Sequence, residues 1–80
     1  MGIPLSQLRI GRAGRVVALS EACSGLNRRR LLDLGVTPGV SVIVERANAG
    51  QSTLAYRIRQ TLIALRREQA DQILVQPISV

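Results

Sequence analysis

The chain contains no histidine, no lysine, no tryptophan and no phenylalanine; it has one cysteine, Cys23, and one aromatic residue, Tyr56. Each absence removes a class of chemistry. Without histidine, and with a single thiol, one chain cannot assemble the nitrogen and sulfur ligand sets that hold zinc, copper or iron, and five scattered carboxylates remain as the hard ligands. The same gap removes serine and cysteine nucleophiles paired with a histidine base, and no two carboxylates fall at the spacing of an acid/base pair. The sequence therefore reads as that of a non-enzyme, with no catalytic residue, no cofactor site and no metal site to assign. Cys23 cannot close an internal disulfide and reads as a small packed hydrophobe. Long apolar runs are missing too, and the opening "MGIPLSQLRIGR" has neither the basic first segment nor the apolar stretch of a secretory signal. A cytoplasmic chain is the expectation.

What is present is a folding composition. Eighty residues, 46% hydrophobic and 20% charged, with the apolar residues spread along the chain, suit one domain over 1–80 close to the lower size at which a core offsets chain entropy. Residues 1–6 read as a short arm. All eleven basic residues are arginine, for a net charge of +6, which suits an anionic partner reached through forked, planar contacts.

Turn signals divide the rest. Gly11 and Gly14 read as a turn feeding a first strand over 16–19. In "SGLNRRRLLDLGVTPG", residues 24–39, Ser24 can cap a helix, the arginines and leucines that follow favour one, and Gly35 stands where the helix should end. Leu31, Leu32 and Leu34 are expected to face inward, the arginines outward. Pro38 and Gly39 predict a type II turn. Beyond it, Val40, Val42 and Val44 alternate with Ser41, Ile43 and Glu45 as in a strand with one wet side, and "LAYRIRQ" with "LIALR" predicts a hairpin, with Leu54, Tyr56 and Ile58 inward. "REQADQ" reads as a helical turn burying Ala70, and "ILVQP" as a last strand that Pro77 ends. About five short strands with one helix inserted after the first predict a mostly β chain forming a small closed barrel that hides its edges.

Several motifs dissolve on inspection. "NAGQST" resembles the tail of a phosphate-binding loop, but Gln51 stands where lysine is required. "MGIPLS" fits a myristoylation pattern too short to specify one. Arg9, Arg12 and Arg15 with Arg28, Arg29 and Arg30 could form a basic stripe for phosphates, yet single-strand binders stack bases on aromatic rings and Tyr56 is assigned to the core. That argues against nucleic acid. The same scarcity removes the aromatic groove by which SH3 domains bind proline-rich peptides.

In chain order, "GRAGRVVAL", "RRLLDLGVTPG" and "YRIRQTLIALRREQADQILV" resemble the signature of the ferrous iron transport protein A family, FeoA, from about residue 8 to residue 75. The resemblance implies an SH3-like β-barrel and a cytosolic accessory of the ferrous iron permease FeoB, a membrane protein with a cytosolic GTP-binding region. It implies no small-molecule substrate, and contact with a membrane only through that partner. A similar barrel ends iron-dependent repressors of the diphtheria toxin repressor type, but no winged helix is read in this sequence, so a DNA-binding regulator is not expected. Two departures stand out: "ANAGQSTLA" lacks the proline and aspartate frequent in relatives, and the hairpin lacks the usual glycine. Left-handed angles at non-glycine residues are costly, so a longer or different turn is expected around Gln60 and Thr61.

The helix that presents Arg28, Arg29 and Arg30, with Leu26 as an apolar contact beside them, is the expected partner-facing element. Two other readings remain open at this level: a basic nucleic-acid-binding barrel, and a metal-sensing domain using carboxylates such as Glu21, Glu45 or Asp71. An exposed strand edge could also support weak self-association.

Overall fold

Strands form where the sequence alternates, and the alternation sets what faces the core. The computed structural model describes residues 2–47 and 53–78. In chain order its elements are β1 (Ile3–Pro4), a 3₁₀ turn (Leu5–Gln7), β2 (Ala13–Leu19), α1 (Gly25–Asp33), β3 (Ser41–Ala47), β4 (Thr53–Ile58), β5 (Thr61–Arg66), α2 (Arg67–Ala70) and β6 (Ile73–Ile78). All strand pairs are antiparallel, in the order β1-β6-β2-β3-β4-β5. Val42 and Val44 of β3 and Leu54, Tyr56 and Ile58 of β4 are buried on one face, as the alternation requires. Register shifts between Val16 and Ala18 in β2 and between Val44 and Arg46 in β3 mark bulges, which add twist and let the sheet curl around a single core.

The fold is mostly β with two short helices, and it departs from the sequence reading in five places. Among the described residues the sheet has six strands, and it is not closed: β1 and β5 are its two ends. The sixth strand comes from the supposed arm, where Ile3 and Pro4 pair with Val75 and Leu74 of β6 and Leu5 is fully buried. Two residues are too few to show a period. β2 begins at Ala13, so Gly14 lies inside a strand. Pro77 does not end β6; it pairs opposite Gly14, beyond the point where β1 flanks β6, so its missing N–H falls on an unpaired edge.

The fifth departure is the β4–β5 turn. Ile58 pairs directly with Thr61, leaving a two-residue loop in which Arg59 has φ 52° and Gln60 φ 67°. Both values belong to a type I′ turn, whose twist matches the flanking strands. An unbroken ladder from Thr53↔Arg66 to Ile58↔Thr61 holds the turn against a cost of roughly 1–2 kcal/mol per left-handed residue. Strand pairing overrode the local preference.

Tyr56 sits at the centre of the core, and its buried hydroxyl has no hydrogen-bond partner among the described residues. Burial pushes the phenol above its ordinary 10.0, with Arg67 pulling the other way and Asp71 adding to the rise. An acid whose folded pKa lies above the unfolded one stabilises fully below the unfolded value and loses that contribution as pH rises through the folded value. Tyr56→Phe should therefore leave stability near neutral pH unchanged or raise it by about 1 kcal/mol, since it removes an orphaned polar group. The fall in unfolding free energy between about pH 9 and about pH 11 should also be smaller in the variant. Urea titrations at the two pH values check both.

Candidate docking surface

The helix between β2 and β3 is fixed at its far end by backbone geometry. Gly35, at φ +94°, ends α1 in a Schellman motif: Val36 N–H donates to the Leu31 carbonyl and Gly35 N–H to the Leu32 carbonyl, both at 3.0 Å. Leu31 and Val36, the two residues such a motif brings together, are both fully buried in the core cluster. At the near end Ser24 is in the N-cap position with extended backbone but makes no side-chain capping bond. Asn27 Nδ2 donates to Gln72 Oε1 at 2.6 Å, tying the first turn to the segment before β6. Pro38 and Gly39 then form the expected turn, closed by Val40 N–H donating to the Thr37 carbonyl at 3.2 Å.

One leucine therefore docks α1, where three were expected. Leu31 is buried, but Leu32 is 41% and Leu34 38% exposed, and Leu26 is 87% exposed. At 100° per residue, positions 26, 29, 30, 33 and 34 form one continuous stripe that runs from the side opposite Leu31 round to the flank beside Asn27. Leu26, Arg29, Arg30, Asp33 and Leu34 in fact line a shallow depression of about 380 Å³. Arg28 stands apart from it: its Nη1 donates to the Cys23 carbonyl at 3.4 Å. Three of the four expected contact residues are thus brought together, while Asp33 and Leu34 join them unforeseen. Spacing at i, i+3, i+4, i+7 and i+8 from Leu26 was the signal that could have found both.

A second, polar cleft of about 620 Å³ lies between α1 and the end of the β4–β5 hairpin, lined by Asn27 and Arg30 on one side and Thr53, Ala64, Arg66 and Glu68 on the other. Arg30 borders both hollows. Arg9 and Arg12 line a different depression, with Pro77 and Ile78, so these arginines do not share a hollow with the helix trio. The carboxylates considered for metal sensing are likewise dispersed. Glu45 is ion-paired with Arg57 at 3.1 Å, Asp71 accepts a hydrogen bond from the Ser6 hydroxyl, and among the described residues no three histidine, cysteine or acidic side chains cluster. No helix among the described residues is long and apolar enough to cross a membrane.

A family model, the FeoA domain, matches residues 3–77. The chain belongs to the FeoA domain family. Solved structures agree with the match. The FeoA-like protein of Clostridium acetobutylicum has 25% sequence identity and a TM-score of 0.88, over 99% of this chain and 90% of that one. FeoA of Chlorobium tepidum has 28% identity and a TM-score of 0.83, over 99% and 71%. FeoA of Stenotrophomonas maltophilia, solved with zinc and described as an SH3 domain protein, has 26% identity and a TM-score of 0.78, over 90% and 87%. None of the curated proteins matches. Family membership links the chain to ferrous iron transport and identifies the curled sheet as the SH3-like FeoA fold.

Proposed function

We propose that this FeoA domain is an accessory of ferrous iron uptake that works on the cytoplasmic side, by docking on the cytosolic GTP-binding region of the ferrous iron permease FeoB. Leu26 and the flanking arginines make the contact. The exposure of Leu26 carries the reading. A leucine left 87% in water on a helix gains about 1.5–3 kcal/mol when a partner buries it, and Arg29 and Arg30 beside it offer forked donors to carboxylates at the rim. Arg28, partly engaged with the Cys23 carbonyl, adds long-range charge more than a direct contact. The zinc of the Stenotrophomonas protein is not carried over, because among the described residues of this chain no three histidine, cysteine or acidic side chains cluster.

Calorimetric titration of the permease's GTP-binding region, with and without nucleotide, tests this. Arg29→Glu combined with Arg30→Glu should weaken binding at least about tenfold, and Leu26→Ala by a similar factor, a loss of about 1.4 kcal/mol each. Unaltered affinity in both variants would remove α1 from the interface.

A further inference from the structure

The outer edge of β5 is open. As the last strand in the sheet order it pairs only with β4, and among the described residues no backbone hydrogen bond reaches its other side. Register fixes which groups are exposed there. In a two-residue hairpin the residues flanking the loop exchange both bonds, so Ile58↔Thr61, Tyr56↔Ile63 and Leu54↔Leu65 are the hydrogen-bonded pairs. The N–H and C=O of Leu62 and Ala64 consequently point away from β4, and Arg66 N–H, which shares that side, is already taken by Gln69 Oε1 at 3.0 Å.

Among the described residues nothing guards this edge. Between Thr61 and Leu65 it carries no charge, no proline and no bulge, the devices by which natural sheets discourage strand addition, and Leu62 is 43% exposed. Arginines stand at both ends, Arg59 at the turn and Arg66 at the cleft, and the cleft bordered by Ala64 and Arg66 runs to Arg30 on α1. We infer that the β5 edge takes up an extended segment of the docking partner as a seventh strand, apolar at its centre and carrying carboxylates at its flanks. This rests on the docking reading above and extends the contact from α1 across the cleft. Charge selects the occupant: a second copy would set +6 against +6, whereas an acidic strand meets arginine at each end.

The test uses the permease's GTP-binding region as probe, with calorimetry and residue-resolved amide exchange. Ala64→Pro removes an outward N–H without touching the β4 ladder and should weaken binding at least tenfold. In the wild-type complex the Leu62 and Ala64 amides should exchange at least tenfold more slowly than in the free domain, a readout that does not depend on the variant folding. Unchanged exchange at both amides, while Arg29→Glu with Arg30→Glu still weakens binding, would overturn strand addition and leave the helix contact standing. Wild-type protein that does not bind at all would remove both readings. Protection of the same amides in the free domain, rising with its concentration, would assign the edge to a second copy and overturn the inference as well.

Discussion

Leu31→Ala is expected to lower the unfolding free energy by about 2–5 kcal/mol and to release α1 from the sheet before the sheet itself unfolds. Leu31 is the one buried side chain that α1 contributes. A nine-residue helix does not persist in water by itself, and no side-chain cap helps it at the N-terminus, since Ser24 makes no capping bond. What holds the helix is this leucine, the Asn27–Gln72 amide pair and the Schellman closure at Gly35. Truncating the leucine leaves a cavity against Val36 and the β-sheet core and removes the largest of the three restraints. Domains of this size hold about 5–15 kcal/mol in total, so the loss is a large fraction. Leu32→Ala, on the exposed side, should cost under about 1 kcal/mol. Urea denaturation gives both magnitudes, and amide exchange in α1, faster than in β2 and β4, shows the local release. A loss below about 1 kcal/mol for Leu31→Ala would mean that the sheet, not the leucine, positions the helix. The docking surface would follow the helix: with α1 detached, Leu26, Arg29 and Arg30 no longer share one depression, and permease binding should fall together with stability.

This dependence explains what could be read from the sequence and what could not. Strand alternation placed Val42, Val44, Leu54, Tyr56 and Ile58 in the core, because one buried face enforces a period of two. The helix, its glycine stop and the Pro38–Gly39 turn were legible from local chemistry alone. Long-range choices were not. Ile3 and Pro4 become a strand only because β6 passes beside them, and the paired strands impose left-handed angles on Arg59 and Gln60 that their own preferences oppose. The leucine face failed for a related reason. Composition shows that a helix has apolar residues, but which of Leu31, Leu32 and Leu34 turns inward depends on how Gly35 and Val36 close the helix onto the sheet. Of the candidate surface, Leu26 and Arg29 to Arg30 were legible as residue types, while their grouping with Asp33 and Leu34, and the separation of Arg28, came from geometry.

Gly14 concentrates the same lesson in one atom. In the sequence it looks like half of a turn; in the structure it is buried in β2, opposite Val42 of β3 and Pro77 of β6. A Cβ there would lie 2.9 Å from Leu8 Cδ1 and 3.0 and 3.1 Å from Val75 Cγ2 and Cβ. The leucine methyl is the free end of a flexible chain and can swing aside. Val75 cannot: it is fully buried and β-branched, so relief has to come from a shift of β6 itself. Gly14→Ala should therefore destabilise by about 1–3 kcal/mol, in the range of overpacking, even though strand residues generally prefer alanine to glycine. A double-mutant cycle separates the two obstacles. In a Leu8→Ala background the cost of Gly14→Ala should shrink a little, and in a Val75→Ala background it should shrink most, because the rigid neighbour has been cut back. An equal cost in all three backgrounds would place the difficulty in the β2 backbone. No residue of β2 lines the α1 depression or the polar cleft, so Gly14→Ala protein kept folded at low temperature should bind the permease with the wild-type affinity. That separates a fault in the scaffold from a fault in the surface it carries.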